Sequence, residues 1–145
     1  YIAENEKLKM LVFTDPTCPY CQRLHRDIDR LNKAGISVYY MLYPRALVRG
    51  SEDKSAQAVI SMMNTFWCSD TPQETMDRIY NHEYVEPSDQ CFAKEQGRTD
   101  LPVQEHFLLG RIFNLAATPL TVLSDGRLLY GYGGFSKFMD RVGEI

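Results

Sequence analysis

Long apolar runs, basic clusters and a dense set of cysteines are all missing from this sequence. Its longest apolar stretches, such as Val38–Tyr43, have the length of a strand and fall far short of the ~20 residues that a membrane-spanning helix needs. The net charge is −3 and no block of Lys and Arg occurs, so nucleic-acid binding is not expected. Four cysteines in 145 residues are too few for a disulfide scaffold. The remaining interpretation is an ordinary globular domain with its own core.

The cysteine count is even, and the chain begins with Tyr1 rather than with Met. An even count is consistent with two disulfides and favours an oxidising compartment. A first residue other than Met predicts a processed or trimmed product that has lost a signal peptide or an upstream domain. The cysteines are Cys18, Cys21, Cys68 and Cys91.

The apolar pattern of the N-terminal part predicts a strand, a helix and a second strand. Leu8–Thr14 and Ile36–Tyr43 are β-rich runs, and the first is closed by the turn-forming pair Asp15-Pro16. Pro19–Lys33 has helical spacing between them. A strand–helix–strand unit of this length predicts a parallel pair of strands.

Helical patterns then fill about residues 51–115, and the chain closes with two strands and a helix. One side of a helix late in this block is predicted from Leu101, Leu108, Ile112 and Leu115. Leu120–Leu123 and Arg127–Tyr132 flank Asp125-Gly126, which predicts a hairpin. The last helix takes its apolar side from Phe135, Phe138, Met139 and Val142. The order predicts an α/β, thioredoxin-like fold with a helical insertion between its β-α-β and β-β-α halves.

The segment Cys18-Pro19-Tyr20-Cys21 carries the clearest chemical pattern. It separates a predicted strand from a predicted helix, so Cys18 lies at a helix N-terminus, where the helix dipole stabilises a thiolate. The thiolate is the attacking species in disulfide exchange, and Cys21, about one turn later, is placed to resolve the mixed disulfide. A structural disulfide or half of a zinc site is the alternative. Zinc sites usually combine four ligands, often from two CxxC pairs, and only one CxxC occurs here, which favours redox chemistry.

Two further patterns lie near this motif in the predicted fold. Pro119 precedes the Leu120–Leu123 strand and would present the backbone of Thr118 to an extended substrate chain, although an ordinary strand-initiating proline is the alternative. His25 shares a helix side with the CxxC cysteines, which permits a metal-site or acid–base role. A partly exposed helix histidine is the favoured interpretation.

Cys68 and Cys91 are the remaining cysteines. A disulfide between them would close a loop, to which the chain-entropy model assigns ~3 kcal/mol, and would staple the helical block to itself. Two independent buried thiols are the alternative, and an oxidising compartment favours the disulfide.

The segment from Phe13 to Cys21 resembles the catalytic domain of the DsbC/DsbG family of periplasmic disulfide isomerases. The resemblance continues over nearly the whole chain at Leu24-His25, Tyr43-Pro44-Arg45, Trp67-Cys68, Gly110, Thr118-Pro119, Val122-Leu123-Ser124, Gly126, Leu128 and Gly131-Tyr132. Several separate motifs in the same order are far more specific than a CxxC alone.

The resemblance implies a role for each of these residues. Cys18 is the nucleophile and Cys21 the resolving thiol, while Cys68 and Cys91 form a structural disulfide. Substrate is bound by Pro19, Tyr20, Thr118 and a cis Pro119. The resemblance also implies that disulfides of misfolded or oxidised proteins are isomerised or reduced in the periplasm of a Gram-negative bacterium. It further implies that electrons come from a DsbD-like membrane reductant. We expect neither a metal nor a cofactor.

Departures from the family pattern leave several alternatives open. Pro19-Tyr20 is the DsbG-like pair, whereas DsbC has Gly-Tyr, so isomerase, reductase, sulfenic-acid reductase and chaperone roles all remain. The family dimerises through an N-terminal domain that this chain lacks. Residues 1–145 are therefore expected to form an isolated, monomeric catalytic domain of a protein that is a homodimer at full length. Glutaredoxins share the Cys-Pro-Tyr-Cys motif but are much shorter between it and the cis-proline. A non-enzymatic metal-binding domain that uses Cys18, Cys21 and His25 is the alternative from another class.

Overall fold

Four strands form a single sheet in this computed structural model, which describes residues 1–88 and 102–145. They are β1 (Leu8–Thr14), β2 (Ile36–Leu42), β3 (Leu120–Leu123) and β4 (Leu128–Tyr130), in the order β2-β1-β3-β4. The β1–β2 pair is parallel and runs from Leu8 opposite Ile36 to Thr14 opposite Leu42. The β1–β3 and β3–β4 pairs are antiparallel. The predicted parallel pair and C-terminal hairpin are confirmed.

Besides a 3-10 helix at Arg45–Arg49, six α-helices surround this sheet in the described part of the chain. They are α1 (Pro19–Arg26), α2 (Ile28–Lys33), α3 (Lys54–Trp67), α4 (Pro72–Tyr80), α5 (Pro102–Ile112) and α6 (Phe135–Val142). Three of them, α3 to α5, lie between β2 and β3, as the predicted helical insertion requires. The part of that prediction covering residues 89–101 lies outside the described residues. None of the helices in the described ranges has the length and apolarity that crossing a bilayer requires.

The helix predicted over Pro19–Lys33 is wrong in one respect, because it is divided at Asp27. The N–H of Asp27 donates to the Leu24 carbonyl, three residues back, at 3.0 Å. The Asp27 carboxylate accepts hydrogen bonds from the Tyr132 hydroxyl at 2.9 Å and from Arg30 at 3.1 Å. The contact with Tyr132 joins positions at opposite ends of the chain, so no local pattern predicts it.

The two faces of the sheet carry separate cores. On one face, Met10 and Val12 of β1 pack with Leu24 of α1, Leu31 of α2 and Phe138 of α6, all nearly inaccessible to solvent. On the other face, Phe13, the next β1 residue after Val12, packs with Tyr43, Leu115 and Leu120. Alternation along β1 therefore supplies both cores, and the helix that starts at Pro19 is held against the first of them.

Helix α5 buries Gly110 instead of the apolar side predicted for it. Leu108 and Ile112 are 62% and 80% exposed, so the prediction is wrong for these two residues. Leu115 is buried as predicted but lies beyond the end of the helix, and Leu101 lies outside the described residues. A Cβ atom at Gly110 would lie 2.5 Å from the Tyr43 ring and 3.3 Å from the Phe13 ring. Close approach of the α5 backbone to two buried aromatic rings, rather than the spacing of leucines, decides which side of this helix faces the sheet.

Candidate active site

Cys18 closes the turn that leads from β1 into α1. It occupies the N-cap position of α1 with φ −90° and ψ 120°. Its N–H donates to the Asp15 carbonyl at 2.9 Å, and its carbonyl accepts from the Gln22 N–H at 3.0 Å. The first turn of α1 contains no acidic residue. The unpaired N–H groups of a helix N-terminus favour a negative charge at this position.

The sulfur of Cys18 contacts the segment that leads into β3. When Cys18 is protonated, its Sγ donates a hydrogen bond to the Thr118 carbonyl at 3.3 Å, and the Thr118–Pro119 peptide bond is cis. The two segments meet because β1 pairs with β3, with Phe13 opposite Leu120. The structure thus brings Thr118 and Pro119 beside the CxxC motif, where the sequence resemblance predicts them.

The two thiols of the motif differ in their ionisation. Both are free and each cysteine is only 1% exposed. A hydrogen bond from Cys21 lowers the pKa of Cys18 to about 5 against the opposing effect of burial, with help from Thr118 and the positive charge of Arg45. Burial raises the pKa of Cys21 far above its ordinary value, and the adjacent Cys18 adds to this. Near neutral pH, Cys18 is therefore a thiolate, whereas Cys21 remains a thiol.

Alkylation of the reduced protein by iodoacetamide is expected to report the lowered pKa of Cys18. Because only the thiolate reacts, the rate of Cys18 modification should be constant near neutral pH and fall about tenfold per pH unit below about 5. Peptide mass mapping after timed reaction measures this rate. Cys21→Ala removes the largest stabilising contact, so it should move the midpoint toward the ordinary value of 9.0. A midpoint near 9.0 in the unmodified protein would contradict the assignment.

Asp15 ties the loop before Cys18 to the segment that follows β2. Its side chain is 1% exposed. One carboxylate oxygen accepts from the Thr17 N–H at 2.8 Å and from the Thr17 hydroxyl at 2.6 Å. The other accepts from the N–H of Arg45 at 2.9 Å and from its Nε at 3.1 Å. Sequence reasoning treated Asp15 only as part of a turn, since burial of its carboxylate and its pairing with Arg45 have no local pattern.

Pro19 and Tyr20 lie on the surface beside the buried Cys18. Both are exposed, Tyr20 to 54%. Arg45 is also partly open to solvent, with 42% of its side chain exposed. The surface around the reactive sulfur is thus accessible, while the substrate-binding role of Pro19 and Tyr20 stays a prediction.

Cys68 lies in the helical insertion, away from the CxxC motif in sequence. It caps the C-terminus of α3 and is disulfide-bonded, in contrast to the free thiols of the CxxC motif. Its predicted partner, Cys91, lies outside the described residues, so the Cys68–Cys91 pairing stays a prediction.

His25 is not the partly exposed histidine that sequence reasoning favoured, because it is 8% exposed. Its Nε2 lies 2.8 Å from Asp77 Oδ1 in α4, and its Nδ1 lies 3.1 Å from the Tyr40 hydroxyl in β2. Both ring nitrogens are therefore engaged, which leaves none for a metal ion shared with the CxxC cysteines. Within residues 1–88 and 102–145, no cluster of three or more His, Cys, Asp or Glu is arranged to hold a metal.

The chain is similar to a family of domains and to several named proteins. A family described as thioredoxin-like domain matches residues 1–143. The thiol:disulfide interchange protein DsbC of Salmonella typhimurium is 33% identical over 134 residues, which cover 92% of this chain and 50% of that protein. DsbC of Pasteurella multocida is 30% identical over 145 residues, which cover 100% of this chain and 56% of that protein. The chain thus spans about half the length of these curated relatives.

Two solved structures share the arrangement of strands and helices. The crystal structure of a disulfide interchange protein from Neisseria gonorrhoeae has a TM-score of 0.72 at 24% identity and covers 98% of this chain and 90% of that chain. The catalytic domain of Proteus mirabilis ScsC has a TM-score of 0.61 at 21% identity and covers 97% of this chain and 84% of that chain. With the family match, they confirm the predicted fold.

Proposed function

The chain belongs to the thioredoxin-like domain family, and we propose that it is a thiol–disulfide oxidoreductase that isomerises or reduces disulfides of secreted or periplasmic proteins. The proposal depends on one observation, the environment of the Cys18 thiol. This thiol lies at the N-cap of α1, has a lowered pKa and contacts the carbonyl before Pro119. The DsbC names of the relatives support the same activity.

The first step is attack on a substrate disulfide. The Cys18 thiolate forms a bond to one substrate sulfur, the substrate disulfide breaks, and the other substrate sulfur leaves as a thiolate. The product is a mixed disulfide between Cys18 and the substrate. Cys18 is the better attacking group of the pair because its thiolate is stabilised, whereas burial keeps the Cys21 thiol protonated.

Two fates of the mixed disulfide separate isomerisation from reduction. In isomerisation, a second substrate thiolate attacks the substrate sulfur and expels Cys18, with no net transfer of electrons. In reduction, Cys21 attacks Cys18, forms the Cys18–Cys21 disulfide and releases a substrate dithiol, so two electrons pass to the substrate. An external reductant must then regenerate the two thiols.

The proposed setting follows from the relatives and from the accessible surface around Cys18. Substrates are misfolded or oxidised proteins, which reach Cys18 across the exposed Pro19 and Tyr20. A DsbD-like membrane protein supplies electrons in the periplasm of a Gram-negative bacterium. The full-length protein, about twice as long as this chain if it matches its curated relatives, is a homodimer, whereas this domain alone is monomeric.

A redox titration in glutathione buffers tests this proposal. Stabilisation of the Cys18 thiolate favours the reduced form, so the Cys18–Cys21 pair should have a potential between about −120 and −200 mV. Alkylation with mass mapping should show Cys18 and Cys21 titrating together, while Cys68 stays oxidised throughout. The same protein should catalyse thiol-dependent insulin reduction. A potential near about −270 mV, or a Cys68 thiol that is free throughout, would instead indicate a reducing, thioredoxin-like role and contradict the proposed oxidising compartment.

A further inference from the structure

The reductive branch of the proposed reaction needs a proton acceptor for Cys21. Cys21 is 1% exposed, so solvent has little access to its sulfur, and burial raises its pKa far above the ordinary value. The buried Asp15 carboxylate is already occupied by four hydrogen bonds from Thr17 and Arg45. These hydrogen bonds occupy both oxygens of the Asp15 carboxylate, so it has no free position for the Cys21 proton.

His25 lies one helical turn beyond Cys21 on the buried side of α1. A carboxylate only accepts hydrogen bonds, so the hydrogen of the neutral His25 ring is assigned to Nε2, at 2.8 Å from Asp77. The lone pair on Nδ1 then accepts from the Tyr40 hydroxyl at 3.1 Å. Tyr40 packs against the core cluster that contains Cys21. Hydrogen bonds therefore link Tyr40, which packs against the same core cluster as Cys21, through His25 to Asp77.

The other groups that face His25 do not interrupt the hydrogen bonds between Tyr40, His25 and Asp77. Tyr80 of α4 stacks on the His25 ring at 4.2 Å, and its hydroxyl shares a hydrogen bond with Thr14 at 2.6 Å. The Tyr1 hydroxyl donates to Asp77 at 2.6 Å, and the Tyr1 ring meets His25 edge-on at 5.5 Å. Burial, and to a smaller extent the Tyr1 amino group, lower the pKa of His25 while Asp77 opposes this, so the ring is neutral near pH 7.

We infer that the Tyr40–His25–Asp77 chain takes up the proton that Cys21 loses when it resolves the mixed disulfide. This inference rests on the proposed function. As the Cys21–Cys18 bond forms, the Cys18–substrate bond breaks and the substrate sulfur leaves as a thiolate. The Cys21 proton passes to the Tyr40 oxygen while Tyr40 gives its own proton to Nδ1 of His25. Asp77 stabilises the resulting imidazolium and accepts its Nε2 proton. Because the Asp77 side chain is 52% exposed, it then releases this proton to solvent.

Stopped-flow reaction of the reduced protein with Ellman's reagent tests the inference, because it separates the two sulfur attacks. The first aryl thiolate released reports attack by Cys18, and the second reports attack by Cys21. In His25→Asn, the first phase should be unchanged and the second about 10²-fold slower near neutral pH, the lower end of a typical general-base contribution. The second-phase rate of the unmodified protein should level off once His25 is neutral, whereas in His25→Asn it should keep rising with hydroxide concentration.

A control variant and a second test variant distinguish the proposed proton transfer from a general effect of mutation. His106→Asn alters another partly buried histidine, which accepts from the Leu42 N–H at 3.1 Å, and should leave both phases unchanged. Tyr40→Phe removes only the relaying hydroxyl and should slow the second phase with the same altered pH profile, even if His25→Asn fails to fold. A second phase with the original pH profile in the folded variants would overturn the inference, whatever its rate. Loss of the first phase from the unmodified protein would instead refute the proposed function.

Discussion

Cys18→Ser is expected to reduce disulfide exchange to the uncatalysed background, a loss of at least about 10³-fold in turnover. A serine hydroxyl is not ionised near neutral pH, and none of the contacts that lower the pKa of the Cys18 thiol makes an alkoxide available. The substitution is nearly isosteric, which matters because Cys18 is 1% exposed. Insulin reduction by the purified variant measures the loss, and an unchanged melting temperature verifies that the variant is folded.

Cys21→Ser is the matched control for this result. It leaves the nucleophile in place and removes only the resolving thiol, so covalent complexes between Cys18 and substrate should accumulate. Non-reducing gels should show these complexes, and dithiothreitol should separate them by reducing the mixed disulfide. Turnover by Cys18→Ser, or covalent complexes formed by that variant, would contradict the assignment of the two roles.

Asp15→Ala should lower the free energy of unfolding by about 3 kcal/mol. The buried carboxylate accepts hydrogen bonds from the backbone N–H groups of Thr17 and Arg45, and each hydrogen bond to a charged group contributes about 1.5–3 kcal/mol. Its removal also leaves the Arg45 guanidinium without its partner, although the 42% exposure of that side chain limits this part of the cost. Because a typical domain is stable by only about 5–15 kcal/mol, the loss is large.

Urea unfolding of the unmodified protein and of Asp15→Ala, each with the Cys18–Cys21 pair reduced and then oxidised, measures this change by circular dichroism. Asp53→Ala provides the control, since Asp53 also accepts from a backbone N–H and pairs with an arginine, but on the surface. Its loss of stability should be clearly smaller. Equal losses in the two variants would show that burial of Asp15 does not strengthen its contacts.

The local sequence predicted the chemistry of the reactive pair and the order of the elements. Cys18 and Cys21 are separated by two residues at the junction of a strand and a helix, and this spacing alone places one thiol at the helix N-terminus and the other on its buried side. Asp125-Gly126 predicted the hairpin for an equally local reason, because Gly126 adopts φ +88°. Such properties depend on neighbouring residues, so they can be recognised without a structure.

The surroundings of the reactive pair were decided only by tertiary structure. The β1–β3 register carries the Thr118 carbonyl to Cys18, β2 and its extension bring Arg45 to Asp15, and α4 closes over His25. In each case a polar group is buried by an element far away in sequence, and burial then determines its hydrogen bonds and its ionisation. The sequence by itself therefore determined which sulfur lies at the helix N-terminus. Long-range packing decided which groups contact the Cys18 sulfur and which groups are placed to accept the Cys21 proton. A local sequence pattern contains no information about such distant contacts.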